Sequence, residues 1–266
     1  MSLRKVSCWL SVPWSTVQYK PRRKGPPVVD QGVESAIYEL IQRYPRYGYR
    51  RITIMLRRKK SLLVNKKKVQ RIMQRNGWSV KIRPKGFRPR VGTCRSVSEF
   101  PNARWATDMT HFFCEDSGWC HVIPVIDCWN REIIGYRVSK SQGSRVAEGA
   151  LEDALIRRFR LDKKEAHGVL LRSDNGLIFT SKRYMKLVGK YGLKPEYITP
   201  YSPQQNGVIE RFMRTLKEEC IWLKRFTSFH QARRIIEAWI EEYNTERPHQ
   251  ELGYLTPVEY REKLAA

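Results

Sequence analysis

No run of apolar residues in this chain approaches the ~18 needed to cross a bilayer. Its opening, MSLRKVSCWLSVPW, lacks the roughly 7–15-residue apolar core of a secretory signal. The six cysteines (Cys8, Cys94, Cys114, Cys120, Cys128, Cys220) form no C-x-x-C pair, and no zinc-ligand spacing joins them to the five histidines. These absences exclude a membrane-spanning helix, a disulfide framework and a zinc-finger module. The expectation is a cytoplasmic protein with free thiols. Acidic residues are also scarce in the first part of the chain. Residues 1–104 hold 4 Asp/Glu against 26 Lys/Arg, a net charge of +22 out of +25, whereas the rest of the chain is close to neutral.

What is present is a globular composition, 41% hydrophobic over 266 residues, enough for one domain of ordinary size and a smaller one. A charge gradient this steep predicts a polyanion-binding N-terminal part joined to a part with another task. Regular apolar periodicity within the basic part argues against a disordered arm.

Residues 1–30 read as a basic segment with two short helices, followed by a Pro- and Gly-rich linker. Over 31–80 three helices are expected. Val33, Ile37, Leu40 and Ile41 form one stripe, and Ile52, Met55 and Leu56 another. Asn65 caps a third helix that buries Val69, Ile72 and Met73 and stops near Gly77. With Arg50, Arg51, Lys66, Lys67, Lys68 and Arg71 on the outside, the three helices suit a helix-turn-helix-like DNA reader; a bundle whose lysines only face water is the plain alternative. Residues 81–101 read as a basic linker. From 102 to 266 the pattern changes to three antiparallel strands, the last two joined by a turn around Asp127–Arg131, and then to alternating helices and strands. This is an α/β chain with a mixed sheet and helices on its faces.

Three acids stand where a metal site would need them. Asp108 interrupts the first strand in WATDMTHFF. Asp174 ends the buried strand GVLLRSDNG, beside a flexible Asn-Gly pair. Glu210 lies one turn inside an amphipathic helix, behind the polar loop TPYSPQQNG. Phosphoryl transfer on nucleic acid commonly uses two divalent cations held by a few carboxylates on rigid elements. Taken singly, Asp108 could lie on a solvated strand face, Asp174 in a simple turn, and Glu210 in an exposed ion pair with Arg214. Asp127 falls at a hairpin, Asp116 in a turn, Asp153 on an exposed helix face and Asp162 just after a helix. His249 reads as packed or hydrogen-bonded.

The order of short motifs is more specific than any one acid. W-x-x-D at 105–108, SDNG at 173–176, YSPQQNGVIER at 201–211 and YNTERPHQELGYLTP at 243–257 follow one another, and 35 residues separate Asp174 from Glu210. In this the chain resembles the integrase-core, DDE-type transposases of bacterial insertion sequences, the kind encoded by a second reading frame. The resemblance covers nearly the whole chain. It implies an RNase H-like core in which Asp108, Asp174 and Glu210 hold two Mg²⁺ ions, with Mn²⁺ as a substitute. Lys217, Arg214, Gln204 and Asn206 are then expected at the DNA. Helix geometry puts Glu210, Arg214 and Lys217 within one face, since seven residues return almost to the start, and Ile209, Phe212, Met213, Leu216 and Leu223 are expected on the buried side.

The implied activity is 3′-end nicking and strand transfer on duplex DNA, at element ends and at a target. The implied setting is nucleoid-associated, as a dimer or larger assembly, with an upstream reading-frame product supplied by a frameshift fusion. The chain is expected to begin inside that arrangement. Unlike viral integrases, it has no histidine before His111. A non-catalytic DNA-binding or regulatory relative and an RNase H-type nuclease are the rival readings.

Removal of residues 1–104 is expected to flatten the salt dependence of DNA binding, because fewer phosphates are neutralised. Titration of the full chain and the truncated form on one duplex, at several salt concentrations, tests this; equal slopes would refute the assignment of the charge gradient.

Overall fold

In a computed structural model, residues 3–20, 30–80, 98–198 and 203–265 are described. The short helices α1 (Leu3–Trp9) and α2 (Trp14–Val17) come first. The next three are α3 (Gln31–Arg43), α4 (Tyr49–Lys60) and α5 (Lys66–Arg75). Both α3 and α5 begin on side-chain caps: Asp30 accepts from the Val33 N–H at 3.2 Å and Asn65 from the Lys67 N–H at 2.9 Å. The apolar stripes meet in a separate small core, in which Ile37, Ile52, Leu56 and Val69 are fully buried.

The second part is built on a six-stranded mixed sheet: β1 (Arg104–Thr107), β2 (Thr110–Cys114), β3 (Gly118–Asp127), β4 (Ile133–Ser139), β5 (Leu170–Ser173) and β6 (Lys194–Tyr197). The order β2-β3-β1-β5-β6, with β4 on the other edge of β3, places β1 antiparallel to β3 and parallel to β5. One face is covered by α6 (Ser144–Phe159), α8 (Leu177–Thr180) and α9 (Lys182–Lys190), with the short α7 (Lys163–Ala166) between α6 and β5. The other face carries α10 (Gly207–Glu219) and α11 (Phe229–Thr245), with α12 (Pro257–Ala265) beyond them. None of the described helices is long and apolar enough to cross a membrane.

The expected first strand is in fact two. β1 and β2 share one continuous register against β3, since Thr107 lies opposite Val125 and Thr110 opposite Val122. Extending that register puts Asp108 opposite Pro124, which has no N–H to give the ladder. The Pro124 carbonyl instead accepts from Thr107 Oγ1 at 2.9 Å. The ladder therefore breaks at Asp108–Met109, and the chain has four strands between 102 and 139 rather than three. Leu223 is a second correction. It lies beyond the end of α10 and is 40% exposed, while Ile209, Phe212, Met213 and Leu216 are buried as expected.

The helical part docks on the α10–α11–α12 side through ion pairs. Arg51 and Arg247 share Glu219, Lys59 reaches Glu246 at 3.0 Å, and Arg58 reaches Glu259 at 2.9 Å. The Tyr44 hydroxyl donates to Glu246 at 3.2 Å.

On the opposite face, α6 approaches the sheet closely because it is lined with alanines. A Cβ on Gly135 would come within 2.3 Å of the Ala150 carbonyl oxygen and 2.6 Å of the Ala154 nitrogen. Gly135→Ala is therefore expected to destabilise the fold by about 3 kcal/mol. Thermal unfolding followed by circular dichroism should show a melting point lower by roughly 6–12 °C. A shift under a degree would mean that α6 can move away at no cost.

Candidate functional site

The site is set by where two parallel strands stop. The last paired residues of β1 and β5 are Ala106 and Arg172. Two residues further along each strand stand Asp108 and Asp174, side by side at the carboxyl ends of neighbouring parallel strands, where open α/β sheets bind ligands. Side chains alternate along a strand, so Asp108 shares the face of Ala106, which is the face α10 covers. Packing of Ile209, Phe212 and Met213 against that face fixes α10, and Glu210 projects from its first turn into solvent.

The carboxylates sense one another. Burial pushes the Asp108 carboxyl up to about 6, and the negative charges of Asp174 and Glu210 push in the same direction. The Met109 N–H, which donates to Asp108 Oδ1 at 2.7 Å, and the Lys217 ammonium oppose them. Asp174 Oδ1 accepts from the Gly176 N–H at 3.0 Å, and a Cβ at Gly176 would lie 2.9 Å from that oxygen. The donors are hard oxygens, and their mutual repulsion is what a divalent cation relieves. Among the described residues, no three His, Cys, Asp or Glu side chains converge on one point as a ready cage. Mg²⁺ does not require one, since it keeps several waters and takes one or two carboxylates. The residues therefore fit the ion by donor type and charge.

Arg172 is a positioning residue that the sequence reading missed. It is buried on β5 and forks onto Glu196 of β6 at 2.9 Å through each of two nitrogens, while a third nitrogen donates to the Gln205 carbonyl. Arg104 also bonds Glu196, at 2.9 Å. Burial would raise the Glu196 carboxyl, but the two arginines hold it below its ordinary value. Arg172 thus ties the segment leading into α10 to the strand that ends in Asp174. The signal was available: an arginine inside the apolar run GVLLRS needs a buried partner.

Other expected contacts divide. Lys217 lies close enough to lower Asp108, while Arg214 is exposed and lines a groove along α10. Arg50, Lys66, Lys67 and Arg71 are exposed, and Lys68 pairs with Asp30 at 3.1 Å. The Gln204 side chain and residues 81–97 lie outside the described residues.

Two expectations are corrected. Arg51 is not an outward contact, because it packs over the Tyr47 ring and pairs with Glu219 at 3.3 Å. Asn206 is buried, 3% exposed, directly before α10. The decoy acids are engaged elsewhere: Asp127 accepts from Trp129 and Asn102 N–H groups, Asp153 pairs with Arg137, and Asp162 caps α7. Asp116 accepts from the Phe229 N–H.

Two family models described as "Integrase core domain" match residues 99–203 and 191–257, and one described as "HTH-like domain" matches 29–86. The chain is 31% identical over 261 residues to the putative transposase InsK of insertion sequence element IS150 from Escherichia coli K12, covering 94% of this chain and 90% of that protein. The chain belongs to the integrase-core transposases of insertion sequences. The transposase is also 31% identical over 244 residues to InsD of the IS2 elements of Escherichia coli, covering 89% of this chain and 80% of that protein.

Among solved structures, the transposase is similar to the catalytic core of BIV integrase, with a TM-score of 0.44 and 23% identity over 62% of this chain and 97% of that one. It is also similar to a simian T-cell lymphotropic virus intasome, with a TM-score of 0.48 and 17% identity over 80% and 70% of the two chains. The family is one of polynucleotidyl transferases, and its core is the mixed sheet with helices on both faces expected from the sequence.

The raised Asp108 carboxyl makes a testable statement about stability. Between pH 4 and 6 the folded transposase holds a proton that the unfolded chain has released, so stability falls as pH rises through that window. Asp108→Asn removes the penalty. In EDTA at pH 7 the variant is expected to be more stable than the native protein by about 1–3 kcal/mol, and the gain should vanish below about pH 4. Melting curves across that range test it; a gain independent of pH would show that the carboxyl is not perturbed.

Proposed function

We propose that this transposase nicks DNA at the 3′ ends of its element and joins the freed ends to a target, using Asp108, Asp174 and Glu210 to hold two Mg²⁺ ions. The observation that carries this reading is the placement of Asp108 beside Asp174 at the ends of two parallel strands, with Glu210 and Lys217 close enough to perturb the Asp108 carboxyl. Bound Mg²⁺ would supply a nucleophilic oxygen at neutral pH and charge neutralisation at the leaving oxygen, and Mn²⁺ would substitute.

The remaining work falls to the chain's own groups. In the nicking step, water attacks a phosphodiester phosphorus and the 3′ oxygen leaves, giving a 3′-hydroxyl and a 5′-phosphate. In the joining step, that 3′-hydroxyl attacks a target phosphodiester and displaces the target's own 3′ oxygen, so the number of phosphodiester bonds is conserved. No protein side chain needs to become covalently attached. Lys217 would meet a phosphate next to the reacting one, and Arg214, with Gln204, would hold the strand beyond it. The exposed Arg50, Lys66, Lys67 and Arg71 would hold duplex phosphates on the helix-turn-helix-like unit.

The units are proposed as 1–30, 31–80, 81–101 and 102–266. Double-stranded DNA, the upstream reading-frame product as a fusion, and a second copy of the chain are the proposed partners. The relatives' names as transposases and the HTH-like match support DNA as the substrate.

The decisive experiment is Mg²⁺-dependent strand joining on labelled duplexes carrying the repeats that flank the gene, with and without the upstream frame fused. Glu210→Gln is expected to lower joining by about 10³-fold, several kcal/mol of transition-state stabilisation, while duplex binding stays within about twofold. Binding without joining by the native fusion would instead identify a DNA-binding relative that has lost its chemistry.

A further inference from the structure

A groove of about 680 Å³ runs along one flank of α10. Its walls come from both parts of the molecule and include Arg46 before α4, Arg131 in the β3–β4 turn, Arg211 and Arg214 on α10, and His249 after α11. Arg51 and Arg247 also line it, but both are committed to Glu219. Among the described residues, the other four arginines have no carboxylate partner, so the groove holds excess positive charge even with Glu218 and Glu251 on its walls. Like charges gathered without partners repel one another unless an anion joins them.

His249 adds a second, independent requirement. It is 5% exposed, its ring packs edge-on to Tyr243 with centroids 4.7 Å apart, and the Tyr243 backbone carbonyl holds one edge of the imidazole. Its Nε2 is buried at the groove with no partner among the described residues. A buried polar atom left unpaired is costly and calls for a ligand group. Burial, with Arg247, Arg51 and Arg131 nearby, keeps the ring neutral. With the other nitrogen donating to the carbonyl, Nε2 is an acceptor. An acceptor suits the amino edge of a nucleobase, not a phosphate oxygen.

Four unpartnered arginines and one buried acceptor together describe a nucleotide. The volume is that of a small-ligand pocket and too small for a duplex, whereas a few nucleotides of one strand fit with their pairing edges open. We propose that this groove binds an unpaired DNA strand, its phosphodiesters on Arg46, Arg131, Arg211 and Arg214 and a base edge at His249 Nε2. The occupant rests on the DNA-joining reading above, in which Arg214 on the same helix holds the strand beyond the reacting phosphate. The proposal also gives a role to the RPHQELGYLTP segment, whose first and third residues are Arg247 and His249.

The test is fluorescence-anisotropy binding by the full chain in EDTA, so that metal chemistry plays no part and a failure here says nothing about strand joining. The probes are an eight-nucleotide deoxycytidine strand, its abasic analogue and a duplex. Arg131→Glu with Arg211→Glu is expected to raise the ratio of single-strand to duplex Kd at least tenfold. It should also lower the slope of log K against log salt on the single strand by about 1.4, two phosphate contacts' worth. His249→Phe is expected to abolish a roughly tenfold preference of the native protein for the deoxycytidine strand over the abasic one. Melting curves identify any variant that fails to fold, and the arginine pair then carries the test. An unchanged Kd ratio would overturn the proposal. So would displacement of the strand by pyrophosphate at equal concentration, which would reveal an anion pocket only.

Discussion

The parallel pairing of β1 with β5 is the constraint from which the candidate site follows. Once Ala106 and Arg172 are paired, the chain has no freedom to separate Asp108 from Asp174, because each lies two residues further along its strand. Pro124 reinforces this from the opposite side. By withholding an N–H from the ladder, it ends β1 where the acid must turn out of the sheet, and the next strand resumes in the same register. A carboxylate that would be an unexplained defect inside a strand is thereby placed at a strand end.

The third acid is delivered by packing instead of pairing. Ile209, Phe212, Met213 and Leu216 commit α10 to one face of the sheet, and Arg172 stitches the approach to that helix onto β5 and β6 through Glu196 and the Gln205 carbonyl. The same strand therefore carries Asp174 at its end and the anchor for the segment before Glu210. Buried ion pairs of this kind contribute little net stability, since desolvation offsets most of the attraction, but breaking one partner leaves a stranded charge. Their value here is positional.

Much of this was legible in the sequence where a residue's period alone decides its side. The stripes of α3 to α5, the Asn65 cap and the buried face of α10 depend on local spacing, and they appear as read. The three acids stand out in the sequence only through the order of short motifs around them, and the fold sets Asp108 beside Asp174 at two strand ends. What local spacing could not supply was partnership across the fold. Arg51 reads as one more basic residue until Glu219, 168 positions away, is seen to hold it. The break at Asp108 depends on Pro124 in the neighbouring strand, and the burial of Asn206 depends on how α10 docks. Leu223 follows the helical period but falls after the helix has ended, so the period no longer applied. The arginine groove has walls from α10, the loop before α4, the β3–β4 turn and the segment after α11, and no window of sequence contains it.

The shared grip of Arg51 and Arg247 on Glu219 has a mechanical meaning. Glu219 is the last residue of α10, and Glu210 sits in the first turn of the same helix. A 13-residue helix is a stiff rod of about 20 Å, so its two ends cannot shift independently. Arg51 belongs to the small helical unit, which means that a tilt of that unit against the sheet loads the far end of the rod bearing the third carboxylate. The helical unit and the carboxylate cluster are in this sense the two arms of one lever, with its fulcrum where Phe212 and Leu216 press on the sheet.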